Sequence, residues 1–244
     1  MQDQQEGIGS RYLAETRYSR ASLGEQRRAY PRAAPYKEYP QALARLSLDP
    51  QAARSPADLW QCLARRRSLR HYQDRALSQK ELTALVWATQ GITLASRNFL
   101  FRAAPSAGAL YPVETYLAVH RVEGVEPGIW HLQVPEFALE LLRRGDFRRE
   151  LVDAGLSQNF LGAGAVVFIW TAILNRARCK YRERAIRYIF LDAGHICQNL
   201  MLAATALDLG CCPVGAFFDE EVERLLEVDG QEEVALYLAA VGSV

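Results

Sequence analysis

Arg65-Arg66-Arg67-Ser68-Leu69-Arg70 packs four arginines and a hydroxyl into six residues. A guanidinium donates two parallel charge-assisted bonds, a geometry that matches phosphate, and a serine adds a neutral donor. Arg66, Arg67, Ser68 and Arg70 are therefore candidate phosphate ligands; the plainer reading is a helix end where cations meet the macrodipole. A second segment, Ala104-Pro105-Ser106-Ala107-Gly108-Ala109-Leu110-Tyr111-Pro112, is small and proline-bounded, so its backbone can press close to a flat ring or simply make a tight turn. A third, Pro213-Val214-Gly215-Ala216-Phe217, could bring backbone N–H groups to the reactive edge of such a ring, or pack beneath a sheet. The fourth is Lys180-Tyr181, inside the basic run 176–184. Like charges disfavour a protonated lysine and suit it to general-base work, with Tyr181 relaying a proton; the alternative is a solvated basic face.

Together, the cation cluster and the small-residue loops suggest a bound flavin mononucleotide. Other chemistry is poorly supported. His71, His120 and His131 lack metal-ligand spacing, and His195 shares an apolar helix face with Asn199, so no metal site is expected. Five cysteines form no C-x-x-C pair, and the adjacent Cys211 and Cys212 read as buried packing. There is no G-x-S-x-G, P-loop or G-x-G-x-x-G.

The elements that must carry these residues follow from composition and periodicity. With 244 residues, half of them hydrophobic, the chain can bury a full core as one domain plus an extension. A net charge of +1 gives no general attraction to nucleic acid or anionic membrane. The start has neither a basic nor an apolar signal region, and the longest apolar run, Leu161 to Leu174, is shorter than the ~20 residues of a membrane helix. A cytoplasmic protein is expected.

Residues 1–54 are proline-punctuated yet rich in tyrosine, which predicts an arm laid over the main domain or a partner. Residues 55–244 form the main domain. Ser55-Pro56-Ala57-Asp58 predicts a helix start, and Ser78-Gln79-Lys80-Glu81 a capping box followed by a helix that stops at Gly91. Strands are predicted over Val113 to Val122 and Ala163 to Leu174, a hairpin over 128–142, a helix from Asp192 to Leu209 with Gly210 at its C-terminal cap, and a last strand from Val234 to Val241. Strands and helices do not alternate regularly, so the fold class is α+β.

In these motifs the chain resembles the nitroreductase superfamily, and within it the SagB-type dehydrogenase branch that includes the azoline oxidases. The likeness rests on Arg66-Arg67-Ser68-Leu69-Arg70, Ala104 to Pro112, Lys180-Tyr181 with Arg184 and Arg187-Tyr188, Asp192-Ala193-Gly194-His195 with Gln198-Asn199-Leu200, and Pro213 to Phe217. Thr16 to Arg20 and Tyr36 to Pro40 extend it into the arm.

The resemblance implies a mostly antiparallel sheet flanked by helices and a homodimer with FMN at its interface. Arg66, Arg67, Ser68 and Arg70 would hold the phosphate and ribityl chain. Pro105, Ser106 and Ala107 would reach the flavin from the partner, and Pro213, Val214, Gly215 and Ala216 would line its reactive edge. Lys180 and Tyr181 match the pair that removes a proton while a hydride passes to FMN, turning a thiazoline or oxazoline into an azole. A cyclodehydratase and a peptide substrate are the partners so implied. Three departures stand out: no cation near Gly242-Ser243-Val244, Asp192 where relatives often carry Glu, and Ala185-Ile186 where they carry Gly-Tyr. Two alternatives are an NAD(P)H-dependent nitro or quinone reductase, and an inactive flavin-binding scaffold subunit.

Overall fold

The computed structural model describes residues 7–17, 29–53, 57–96 and 99–244. Nine strands were found among them, β1 (Ala44–Ser47), β2 (Ile92–Ala95), β3 (Leu100–Arg102), β4 (Val113–Val119), β5 (Gly128–Gln133), β6 (Ala138–Arg144), β7 (Val166–Ile173), β8 (Leu209–Val214) and β9 (Glu233–Ser243). The helices are α1 (Ile8–Glu15), α2 (Leu59–Arg65), α3 (Gln79–Gln90), α4 (Arg148–Ala154), α5 (Phe160–Ala163), α6 (Leu174–Tyr181), α7 (Ala185–Ala206) and α8 (Asp219–Leu226).

Seven strands make one antiparallel sheet in the order β1-β6-β5-β4-β7-β9-β8, and β2 pairs with β3 apart from it. The central strand β4 is buried along its whole length, and its side chains alternate between two cores as a pleated strand requires. Leu117 and Val119 join Leu82, Leu85, Ile196 and Leu200 of α3 and α7. Tyr116 and Ala118 face the other way, towards Leu151, Leu161, Val222 and Leu225 of α4, α5 and α8. The fold is α+β, a helix-flanked antiparallel sheet, as the pattern of elements predicts.

Helix α3 begins at the predicted capping box: Ser78 Oγ accepts the Glu81 N–H at 3.2 Å, and Glu81 Oε2 accepts the Ser78 N–H at 2.6 Å. Elsewhere boundaries move. Ser55 and Pro56 lie outside the described residues, and α2 is capped by Asp58, whose carboxylate accepts the Gln61 N–H at 3.0 Å. The helix expected from Asp192 starts earlier, at Ala185, and ends at Ala206. Gly210 is no cap but part of β8. A Cβ there would meet Val244 at 2.4 Å and Tyr72 at 3.1 Å, so this glycine serves close packing.

The arm lies on the rest of the chain by polar contacts. Arg184 donates to Thr16 O, Tyr12 Oη accepts the Arg187 N–H, and Arg176 Nε donates to Ala34 O. Its strand β1 pairs with β6 at the sheet edge. Tyr18 to Arg20 lie outside the described residues. Among those described, no helix is long and apolar enough to cross a membrane.

Candidate functional site

The sequence candidates fall into two groups at different levels of α7. At its C-terminal end, α2 packs on α7 and Arg65 pairs with Asp208 at 2.5 Å. The chain leaving α2 then runs beside β8: Ser68 bridges to Cys211, and the Leu69 N–H donates to Cys211 O at 3.0 Å. This places Arg66, Arg67, Ser68 and Arg70 alongside the strand that ends in Pro213-Val214, followed by the exposed Gly215 and Ala216. The Ala216 carbonyl accepts from Gln158 at 3.0 Å.

Arg65 has Asp208, but the other cations here have no acidic partner among the described residues. Among the described residues Arg67 Nη1 donates to the carbonyls of Ala64 and Arg66, and the Arg70 guanidinium lies 5.7 Å from the Phe160 ring centroid. Among the described residues none of Arg66, Arg67 and Arg70 has a carboxylate partner. The donor set therefore suits a phosphate, which is the test this surface passes for a flavin mononucleotide. The neighbouring thiols are packing groups: burial pushes Cys211 well up, and Cys212 up as well.

The second group lies towards the N-terminal half of α7. Asp192 anchors the small loop, accepting from Ser106 Oγ at 2.5 Å and from the Ala107 N–H at 3.3 Å. Ser106 Oγ accepts the Tyr111 N–H in turn, at 3.0 Å. Burial raises the Asp192 carboxyl above its ordinary value, although the Ser106 and Ala107 bonds favour its ionised form. The loop then turns through Gly108 at φ +65°. A Cβ on Gly108 would lie 2.6 Å from Tyr181 Oη and 2.7 Å from Lys180 Nζ, so both functional atoms converge on the space this glycine leaves open. The Tyr181 ring is held edge-on to Tyr188 at 4.8 Å, and Arg184 Nε donates to Tyr188 Oη.

Two of the arginines that crowd Lys180 in sequence are turned elsewhere. Arg176 is buried and ion-paired with Glu114, and Arg178 stacks over Tyr30. From Asp192 to Ala206 the helix rises roughly 20 Å, at ~1.5 Å per residue. Within one chain, then, Pro105 to Ala107 with Lys180-Tyr181, and Arg66 to Arg70 with Pro213 to Ala216, are separate constellations.

Sequence reasoning missed a buried polar cluster beneath the second group. Glu114 bonds Arg176 through one oxygen and His131 through the other, the latter at 2.8 Å. Burial acts to raise the Glu114 carboxyl, but His131 and Arg176 outweigh it and hold the group down to about 2. His131 also faces Glu140 at 3.6 Å. Nearby, Tyr116 donates to Glu233 at 2.8 Å, Glu233 pairs with Lys37 of the arm, and the Tyr39 and Tyr116 hydroxyls meet at 2.8 Å. The only sequence signal was polar residues inside apolar strands, which alternation assigns to one face.

The sequence profile of the nitroreductase family matches residues 63–243. A nitroreductase-family protein of Methanocaldococcus jannaschii is 36% identical over 180 residues, covering 74% of this chain and 88% of its own length. Trifolitoxin operon protein TfxC of Rhizobium leguminosarum bv. trifolii is 25% identical over 232 residues, 89% of this chain and 64% of TfxC. Among solved structures, a nitroreductase-type protein from Anabaena variabilis superposes with a TM-score of 0.70 at 31% identity, over 84% of this chain and 42% of that one. A chain of the Escherichia coli microcin synthetase complex McbBCD, with truncated pro-microcin B17 bound, superposes with a TM-score of 0.61 at 18% identity, over 95% of this chain and 86% of that one; it shares the fold.

Proposed function

This chain belongs to the nitroreductase family, and on that footing we propose that it is an FMN-dependent oxidoreductase of the SagB type, oxidising azoline rings to azoles in a ribosomally made peptide. Its family and fold are those of oxidoreductases. The observation that carries the finer reading is the convergence of Lys180 Nζ and Tyr181 Oη on the Gly108 turn. Relatedness to a trifolitoxin operon protein supports the peptide context.

Arg66, Arg67, Ser68 and Arg70 hold the FMN phosphate and ribityl chain, and Pro213 to Ala216 line the ring. The flavin, when bound, supplies the acceptor for a hydride. Lys180 takes the proton that leaves the azoline ring, and Tyr181 holds or returns a proton at Oη. Gly108, lacking a side chain, keeps the approach to both atoms open.

The protein acts as a homodimer. Separation of the two constellations along α7 supports this, because a second copy can bring its Pro105, Ser106 and Ala107 to the flavin. The surface agrees: Phe190 and Leu191 of α7 are more than half exposed, and so are Leu59 and Trp60 of α2. A cyclodehydratase is the partner that makes the azoline, and the reaction is cytoplasmic.

The test is single-turnover reduction of the flavin by an azoline peptide. Lys180→Ala and Tyr181→Phe keep their FMN and react ~10²–10⁴-fold more slowly, the usual contribution of a positioned acid or base. Equal rates in all three proteins return the pair to a solvated basic face. Likeness to the archaeal nitroreductase-family protein favours a second reading, a nicotinamide-dependent nitro or quinone reductase. That activity needs no base at position 180 and would survive both substitutions.

A further inference from the structure

A cavity of about 80 Å³ opens between the arm, β3 and residues 109–111. It far exceeds the ~10–15 Å³ that one water needs. Arg32, Arg102 and Arg176 line it, and among the described residues no Asp or Glu does. The remaining wall is largely aromatic and aliphatic, including Pro35, Tyr36, Leu100 and Tyr111.

The two buried arginines differ in what answers their charge. Arg176 has Glu114 and the Ala34 carbonyl. Glu114 has one oxygen on Arg176 and the other on His131, and among the described residues it makes no hydrogen bond to Arg102, on which its charge acts only at a distance. Arg102 is only 7% exposed, and among the described residues its guanidinium makes one hydrogen bond, from Nη1 to the neutral Gln90 Oε1 at 2.9 Å. Its buried Nε has no acceptor, and no acceptor meets Nη2 among the described residues. Burial lowers its pKa to about 10, so it stays charged at neutral pH. The side chain is nonetheless fixed: its guanidinium lies 4.4 Å from the Tyr111 ring centroid, and Tyr111 Oη accepts the Arg102 N–H at 3.0 Å. Two buried cations share one carboxylate beside an open volume. A buried charge that must share its counter-charge is costly, and the open volume beside Arg102 leaves room for a further anion.

We propose that this cavity binds the carboxylate group of a small organic acid, with Arg102 as its main partner and Arg32 as an accessory cation. The planar fork of Arg102 matches a carboxylate, and the apolar wall suits the organic body attached to it. Sharing residues 109–111 with the loop that carries Gly108, the site adjoins Lys180 and Tyr181 but uses neither. The inference stands apart from the azoline reading, because binding is measured without turnover.

The experiment is calorimetric titration and thermal melting of the purified protein with propionate, propionamide and inorganic phosphate. Propionate is expected to bind saturably and raise the melting temperature, whereas the neutral propionamide does neither and phosphate binds more weakly. Arg102→Met is expected to fold, because it removes a charge that lacks a partner, and to weaken propionate binding about 10-fold or more, the scale of one charge-assisted bond. Arg102→Lys keeps the charge without the fork, and Arg32→Ala changes an exposed residue; both weaken binding by smaller factors. Unchanged affinity in Arg102→Lys and Arg32→Ala overturns the proposal even if Arg102→Met fails to fold. Tighter binding of phosphate than of propionate, no binding of either, or loss of binding in Lys180→Ala but not in the Arg102 variants also overturns it.

Discussion

The cluster around Glu114 and the loop at residues 66–70 both gather cations, but only the first supplies its own anions. Glu114 answers Arg176 and His131, and Glu233 answers Lys37. Arg66, Arg67 and Arg70 have no acidic partner among the described residues. Burying a charge costs stability that a nearby counter-charge offsets, while a surface charge can stay hydrated until a ligand arrives. The buried cluster is accordingly a matter of stability, and the exposed loop a matter of binding.

Removing one partner from the buried cluster should have the largest effect. Glu114→Gln leaves Arg176 and His131 without the carboxylate they share, and a broken buried pair typically loses about 3–5 kcal/mol. Urea denaturation should show that loss. A cost below about 1 kcal/mol would break the contrast, because the cluster would then behave like a surface pair.

The loop should respond in the opposite sense. Arg66→Ala together with Arg70→Ala should change stability by no more than about 0.5 kcal/mol, as surface substitutions usually do. FMN binding should weaken by several kcal/mol, given ~1.5–3 kcal/mol for each charged hydrogen bond. Titration followed by flavin fluorescence measures this. A double variant that unfolds while keeping its FMN affinity would reverse the two roles.

The same contrast explains what the sequence discloses. Arg66 to Arg70 are neighbours in the chain, so their shared chemistry is visible as a run. Glu114 and Arg176 are 62 residues apart, and they meet only because of antiparallel register and the entry into α6. His131 reaches Glu114 from the adjacent strand β5, in a register that sets His131 opposite Tyr116. Strands β7 and β9 were legible because largely apolar runs need no tertiary context, and β4 because only Glu114 and Thr115 interrupt its apolar residues. Strand β8 was hidden, because Gly210 and Pro213 read as loop residues until Tyr72 and β9 are seen packed against it. Ala185 to Leu191 escaped the helix prediction because the exposed Phe190 and Leu191 spoil a simple amphipathic pattern.

A smaller effect is expected at Gly108, the turn that faces Lys180 and Tyr181. Alanine there would adopt φ +65°, at a cost of about 1–2 kcal/mol. The atoms its Cβ meets are the outer ends of the Lys180 and Tyr181 side chains and not backbone, so the side chains can shift and the fold should survive. Their displacement should slow azoline oxidation far more than the lost stability accounts for. Normal single-turnover rates in Gly108→Ala would detach this turn from the chemistry.

The smallest effect, and the sharpest on the buried side, is the pH dependence of His131. Burial acts to lower its pKa, but the bond to Glu114 and the proximity of Glu140 raise it above its ordinary 6.5. The groups facing it are Glu114, Glu140, the Lys37 ammonium and the rings of Tyr39 and Tyr116. A histidine whose folded pKa is raised contributes stability that is full below the unfolded value and is lost as pH rises through the folded value. His120 works against this: burial lowers it to about 4, so its contribution falls as pH drops from 6.5. His120 is present in both proteins when wild type is compared with His131→Gln, and its contribution cancels in the difference. That difference in unfolding free energy, measured in urea from pH 5 to pH 9, should be greatest at the acid end and shrink above pH 6.5. A difference that grew with pH would mean that His131 is held neutral, and the buried cluster would then no longer be the region that balances its own charges.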